Sequence, residues 1–473
     1  MEMFVGGSWR GGSKMIPVVD PYRGEAIDEV PAATPDDVED ALASAVRGAA
    51  VMRKMPGSER SRILNRAADL MEERADDLAR TISREVGKPI SEAAPVPARC
   101  ADLLRLSAFE GTQARGETLP LDAHPGAAGK IGLTLRQPVG VVVAITPFNY
   151  PMLLLGHKLG PALAAGNSLV VKPATQAPLT ALKITRLLLD AGLPPEAIQC
   201  ITGSGSAVGN ALCSDDRVRK ISFTGSTGVG RAITAVAGVK RLSLELGANC
   251  PMVVMPDADL EVAAGAAAVA GTVNAGQVCI SLQNVIVHRD AYDEFVDRVG
   301  AAVAARKVGD PMDPATQVGT LIDGGEAIRV RDWIDQALRD GARLVVGGEV
   351  SGAAMTPAVV ADAAPSMRIV SDEVFGPAIN VIPATDLDEA LRLVNGGDYG
   401  LAASVFTRDI HAAMRFAVEA ETGNVHINWT PLWRADFMPY GGVKGSGIGK
   451  EGPRYAVEEM TEMKTVVIHG AAS

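Results

Sequence analysis

Three residues of this sequence stand where side chains can do chemistry: a cysteine among small neighbours, and a glutamate and a lysine that each follow apolar residues. Cys279 sits in NAGQVCISLQ (274–283), after Gly276-Gln277 and before Ser281, so its sulfur is approachable. A thiolate there is a strong nucleophile toward carbonyl carbon, although free cysteine is also a common core filler. Glu245 ends an apolar segment in LELGANCP. Burial without a partner raises a carboxyl toward the range of a general base, whereas a nearby lysine would make it structural. Cys250 begins a strand close to Glu245 and is the rival nucleophile; Cys100 and Cys213 fall in helical stretches and Cys200 in a strand.

Lys172 ends the apolar run NSLVVK, and Gly225 with Ser226 follow the run VRKISFT. Ligands of open parallel sheets bind beyond the carboxyl ends of the strands. Free backbone N–H groups at a helix start hold phosphate there, and glycine lets it approach. Neither a strict GxGxxG nor a P-loop occurs, so an ordinary strand end and glycine turn remain open readings.

The elements that must position these groups follow from the hydrophobic pattern. Thr34 begins TPDDVEDAL, an N-cap followed by acids in the first turn, and 34–114 reads as helical. From Leu133 the texture becomes apolar and β-branched, as in VGVVVAI, NSLVVK, AIQCITG, VRKISFT and CPMVVMP, with helical stretches between. Strands buried on both faces, alternating with helices, specify a doubly wound α/β sheet. After about Gly247 a second alternating series begins, with strands expected at NVIVHRD, ARLVVGG, MRIVSDEVFGP, AINVIPA, ASVFTRD and GNVHIN. The fold class is therefore α/β with two Rossmann-like domains.

The 473 residues exceed what one core holds. A net charge of -11 disfavours nucleic acid and anionic membranes as partners. Five scattered cysteines without a CxxC pair argue for a reducing, cytoplasmic setting. The six histidines form no HExxH, no metal is expected, and no apolar run is long enough for a membrane span.

Seven motifs, in order, give the chain a resemblance to the aldehyde dehydrogenase superfamily over its whole length. They are TPFNYP (146–151), VVKPATQAP, ISFTGSTGVGR, LELGANCP, NAGQVC, SDEVFGP (371–377) and MPYGGVKGSGIGKEG (438–452). The resemblance implies Cys279 as nucleophile, Glu245 as general base and Asn149 as side-chain donor to an oxyanion. It implies NAD or NADP as cofactor. Ile145, Thr146, Pro147 and Phe148 would line its site, with Lys172, Ala174 and Thr175 at the adenosine ribose. Gly225 and Ser226 would form the pyrophosphate turn, with Gly205, Gly209, Phe223, Thr224 and Val229 as further cofactor contacts. Glu373 would anchor the nicotinamide ribose and Phe375 pack by the nicotinamide, with Leu246 and Gly247 as further cofactor contacts.

By the same resemblance, residues 1–116 and 139–247 form the cofactor domain and 248–443 the catalytic domain. Residues 117–138 and 444–473 form an oligomerisation ribbon and tail of a homodimer or homotetramer.

Departures from the family pattern narrow the expectation. Thr175 stands where NAD-preferring members carry glutamate, so NADP is accepted. Val278 replaces an arginine clamp before the nucleophile. The substrate site then falls to Arg99, Tyr150, His157, Ile280, Ser281 and Arg434, and suits a short polar or anionic aldehyde. Lactaldehyde, phosphonoacetaldehyde, a sulfonated aldehyde and succinate semialdehyde are the candidates. A CoA-acylating enzyme usually lacks the base, and a non-catalytic binding protein would not need Cys279, Glu245 and Asn149 together.

Overall fold

The structure, a computed structural model, describes residues 1–470. Thr34 caps the helix Pro35–Lys54 with a complete capping box, its side chain and that of Asp37 each serving the other's backbone. The helical region then runs through Gly57–Glu73, Ala75–Val86, Ile90–Ala93 and Val96–Gln113.

The first large sheet has the order Ser8–Arg10, Met3–Val5, Ile198–Cys200, Ser168–Lys172, Val141–Ile145, Val218–Thr224, Arg241–Glu245, Gly447–Ile448. Its five central strands are parallel. Taken in chain order from Val141 they lie 3-2-1-4-5, the doubly wound arrangement. Its switch point falls between Val141–Ile145 and Val218–Thr224. Alternation along the strands explains the continuous apolar runs. Val142, Ala144, Leu169 and Val171 enter one core, while Val141, Val143, Ile145 and Val170 enter another on the opposite face. Each such side chain contributes roughly 1.5–3 kcal/mol by leaving water.

The second sheet has the order Arg343–Val346, Ala358–Ala361, Ala378–Ala384, Asn284–His288, Met252–Val254, Ala402–Phe406, Asn424–Ile427, with only the first strand antiparallel. It too has a core on each face. One expected strand differs: in MRIVSDEVFGP, Arg368–Ser371 is a single helical turn. Buried Gln283 and Asn380 donate to the Ile369 carbonyl, so that oxygen is satisfied by side chains instead of a sheet ladder.

Thr461–His469 pairs along Lys130–Pro138, which also pairs with Thr118–Leu119, as a separate three-stranded ribbon. The segment before it belongs elsewhere. Gly447–Ile448 closes the edge of the first sheet, and the helix Pro453–Glu459 packs on Val96–Gln113 and Pro151–Ala165. In the expected tail 444–473, ribbon pairing thus starts at Thr461, and 471–473 lie outside the described residues. No helix among the described residues is long and apolar enough to cross a membrane.

Candidate active site

The carboxyl edge of the first sheet meets the amino edge of the second. Glu245 ends its strand at that edge, while Cys250 and Cys279 precede Met252–Val254 and Asn284–His288. Cys279 is held by an unusual backbone. Asn274, Ala275 and Gly276 are successively left-handed, with φ of 51°, 53° and 73°. Two of them are not glycine, which costs on the order of 1–3 kcal/mol each. Gly276 is obligatory, since a Cβ there would stand 2.1 Å from the Gly376 carbonyl oxygen. Side chains hold the turn in place: Asn274 donates to the Asn149 and Gln277 carbonyls, and Gln277 donates to the Asn274 and Thr320 carbonyls.

Asn149 donates one Nδ2 hydrogen to the Gln277 carbonyl at 2.7 Å. An amide nitrogen carries two hydrogens, so this bond fixes the direction of the second. The Cys279 backbone N–H makes no hydrogen bond among the described residues. Burial pushes the Cys279 thiol up to about 12, against an opposing bond with the Tyr440 hydroxyl, 3.1 Å from the sulfur.

Glu245 is buried, and its Oε2 has no partner. Burial, and next the nearby Glu451 carboxylate, raise it well above the ordinary carboxyl range. Its carboxyl lies against backbone: a Cβ on Gly441 would come within 2.8 Å of Glu245 Oε1. Tyr440, the preceding residue, touches the sulfur, so the dipeptide Tyr440-Gly441 spans from Cys279 to Glu245. A thiol, a base-range carboxyl and two N–H donors around one buried point can add sulfur to a carbonyl and then hydrolyse the adduct.

The family model described as the aldehyde dehydrogenase family matches residues 9–466. The chain belongs to that family. It is 42% identical over 467 residues to a 3-sulfolactaldehyde dehydrogenase of Priestia aryabhattai, covering 99% of this chain and 98% of that one. A lactaldehyde dehydrogenase of Methanococcus maripaludis is 38% identical, with 99% and 100% covered. Among solved structures, the NADP complex of an NADP-dependent glyceraldehyde-3-phosphate dehydrogenase from Bacillus halodurans superposes with a TM-score of 0.97 at 36% identity, covering 99% of each chain. Aldehyde dehydrogenase 21 of Physcomitrella patens, in complex with its reaction product succinate, gives 0.95 at 33% identity, with 100% and 98% covered. The chain is thus an oxidoreductase that acts on aldehydes.

In this aldehyde dehydrogenase the wall beside Cys279 is a chain of paired charges. Arg99 grips Asp436 with Nε and Nη2 at 2.7 and 2.8 Å. His157 Nε2 lies 3.2 Å from the same carboxylate, and Arg434 Nη2 lies 3.2 Å from His157 Nδ1. Arginine only donates, so Nδ1 accepts and the proton sits on Nε2. Burial and the adjacent Arg434 lower the His157 pKa, consistent with a neutral ring. Arg434 also pairs with Glu451 at 3.0 Å, stacks 3.8 Å over the Tyr440 ring and keeps its Nε unpartnered.

Burial alone would raise Glu451, but Lys158 and Arg434 outweigh it and hold the carboxyl down to about 2. His157 and Arg99 likewise outweigh burial at Asp436 and keep it well below the usual range. Arg99 is thus no unpaired clamp; its fork is filled by Asp436. Arg99 and Arg434 border a cleft of about 490 Å³ together with Trp429, Leu432 and Trp433.

Of the remaining expected substrate residues, Tyr150 packs beside Cys279 with its ring 3.2 Å from Lys88 Nζ. Val278 and Ile280 are buried in the same small cluster. Ser281 is turned away, its hydroxyl donating to the Ala270 carbonyl.

The cofactor side offers an open cradle. Ser226 caps the helix Thr227–Val236, nothing stands within 4 Å of a Cβ built on Gly228, Gly205 or Gly209, and Val229 is half exposed. Lys172 finds only the Pro173 carbonyl, and burial lowers its pKa to about 8. Glu373 accepts from the Ala248 N–H, while burial pushes it up to about 7. Phe148 and Phe375 meet edge to face at 5.8 Å. Thr146 is buried with its N–H on the Lys172 carbonyl, and Pro147 and Ala174 are half-buried beside that strand end.

Four further residues expected at the cofactor also serve the fold. Ile145, Phe223 and Leu246 belong to the sheet core, and the Thr224 hydroxyl accepts from Lys158 at 2.7 Å. Gly247 has Glu373 against it; a Cβ there would meet Oε2 at 2.7 Å. Unmatched donors at a capped helix start, an ammonium with a single carbonyl and an under-bonded carboxyl fit a dinucleotide.

Proposed function

We propose that this enzyme oxidises a short aldehyde carrying one anionic group to its carboxylic acid, with NAD or NADP as hydride acceptor. The observation that carries the reading is the meeting of Cys279, Asn149 and Glu245, from three distant segments, at one buried point. The Cys279 thiol loses its proton to solvent, the sulfur adds to the carbonyl carbon and the π pair moves to oxygen. The second Asn149 Nδ2 hydrogen and the Cys279 N–H meet that oxyanion. Lys172, Glu373 and the Ser226-capped helix would hold the dinucleotide, whose nicotinamide, when bound, supplies the hydride acceptor. With the carbon oxidised, Cys279 carries an acyl thioester. Glu245 takes a proton from water, the hydroxide adds, the C–S bond breaks and the acid leaves. This base also favours hydrolysis over acyl transfer to CoA.

An anionic substrate is supported by the arginines of the wall. Arg434 and Arg99 border the cleft, and the Arg434 Nε is buried without a partner among the described residues, so the wall offers the substrate a cationic donor. The sulfonate and carboxylate named in similar proteins are such anions. With NAD or NADP and no CoA, short carboxylated or sulfonated aldehydes should exceed neutral ones of equal length in kcat/KM by about tenfold, or 1.4 kcal/mol. Arg99→Leu should erase that margin through KM. A requirement for CoA, or a preference for neutral aldehydes, overturns the reading.

Thr175 donates to the Gly203 carbonyl at 3.1 Å, which leaves no carboxylate beside the Lys172 strand end to repel a 2′-phosphate. NADP is therefore accepted. Thr175→Glu should move the ratio of kcat/KM toward NAD by about tenfold; an unchanged ratio refutes the assignment.

Residues 1–116 with 139–247 are the cofactor-binding part and 248–443 the catalytic part. The ribbon edge Thr461–His469 exposes Met463, Val467 and Ile468 beside Ile131 and Leu135, an apolar strand edge suited to a second copy in a homo-oligomer. Five free cysteines suit a cytoplasmic setting.

A further inference from the structure

The Tyr440 hydroxyl has one partner among the described residues, the Cys279 sulfur. A phenylalanine would fill the same space, so packing does not explain the oxygen. Tyr440 is buried, and its place is fixed three ways. Its N–H and carbonyl are bonded to the Glu451 backbone at 3.1 and 2.7 Å, Arg434 lies over its ring, and Glu451 holds Arg434. Backbone bonds and the stacked arginine thus hold the ring with its hydroxyl at the sulfur.

We propose that Tyr440 is a catalytic residue whose hydroxyl donates a hydrogen bond to the Cys279 sulfur as the thiol ionises, stabilising and aiming the thiolate that attacks the substrate. This rests on the reading of Cys279 as nucleophile. The groups facing Cys279 make such a donor necessary. Glu245 and Glu373 oppose a negative sulfur, Arg434 favours it from behind the ring, and Tyr150 and Cys250 pack alongside. Cys250 does not stabilise the sulfur, because its own thiol points to the Cys279 carbonyl at 3.3 Å. Burial and the adjacent Cys279 raise the Tyr440 phenol well above its ordinary value, so the proton stays on oxygen and the group remains a donor. When the sulfur bonds to carbon it loses its charge and the bond slackens, so Tyr440 keeps its own proton throughout.

The test is the pH dependence of Cys279 alkylation by iodoacetamide, with thiolate absorbance at 240 nm as a second readout and Cys279→Ala as the blank. A hydrogen bond to a charged group corresponds to roughly one to two pH units. Tyr440→Phe should therefore shift both profiles upward by that amount, with an unchanged melting temperature. 3-Fluorotyrosine placed at position 440, a stronger donor, should shift them downward and keeps the test decisive if the phenylalanine variant misfolds. Coincident profiles for wild type and either variant overturn the proposal. If Cys279→Ala still turns over aldehyde, the nucleophile reading itself fails. If that variant is inactive while the Tyr440 profiles coincide, only the role of Tyr440 falls.

Discussion

Cys279→Ala should lose at least about 10⁴-fold in steady-state NAD(P)H production with every aldehyde, because the loss of a nucleophile removes the whole covalent route. No neighbouring group replaces it. Cys250 is the one other cysteine in the cluster, and its thiol is committed to the Cys279 carbonyl. Burial, then Cys279 itself, push the Cys250 thiol well above its ordinary value, so it is protonated at any working pH. Folding should survive, since a half-buried sulfur makes few contacts and the three left-handed residues that shape the turn are untouched. Melting temperature and dinucleotide binding, measured beside the initial rate, separate loss of chemistry from loss of structure. More than about a hundredth of wild-type turnover would contradict the assignment, as solvent alone cannot supply that rate.

How much of this site the sequence reveals depends on whether a role is local. Strands are legible where both faces are buried, because runs such as VVVAI and SLVVK have one physical explanation, and the doubly wound order follows. Caps at Thr34 and Ser226 are likewise local, each closing on the N–H three residues ahead. MRIV misleads because three apolar residues around one arginine satisfy a strand or a helical turn equally. What decides between them is the side-chain donors Gln283 and Asn380, one of them 86 residues away.

Charges are the least legible. Arg99, His157 and Arg434 are readable as cations or hydrogen-bond donors near a tunnel, but their meaning depends on Asp436 and Glu451. Asp436 lies 337 residues from Arg99, and Glu451 lies 293 from Lys158. Glu451 stands inside the motif MPYGGVKGSGIGKEG and Asp436 two residues after Arg434, so what the sequence lacks is pairing and not presence. Tyr440 is a similar case: its motif is legible, while its contact with Cys279 exists only once residues 161 apart are folded together.

Glu245→Gln should leave one turnover and remove the rest. Glutamine matches the carboxylate in size, so it fits against Gly441, where a Cβ is already excluded. The amide cannot take a proton from water. Thioester formation does not need that base, so one equivalent of NAD(P)H per site should appear as a burst. Turnover after the burst should then fall by about 10²- to 10⁴-fold, the range of a lost general base.

The pH dependence has a definite sign. Burial raises the Glu245 carboxyl, and a protonated carboxyl is not a base, so the wild-type kcat should climb as pH rises through its pKa. In the glutamine variant that acidic limb should vanish. Rapid-quench measurement of the burst, with kcat against pH for both proteins, checks the two expectations together. If the variant shows no burst and kcat/KM falls as far as kcat, the carboxyl acts before the thioester and not after it. That outcome would place Glu245 with Tyr440 in preparing the sulfur, and the water would need another base; Glu451, held down to about 2 and already bonded to Lys158 and Arg434, is too weak to be one.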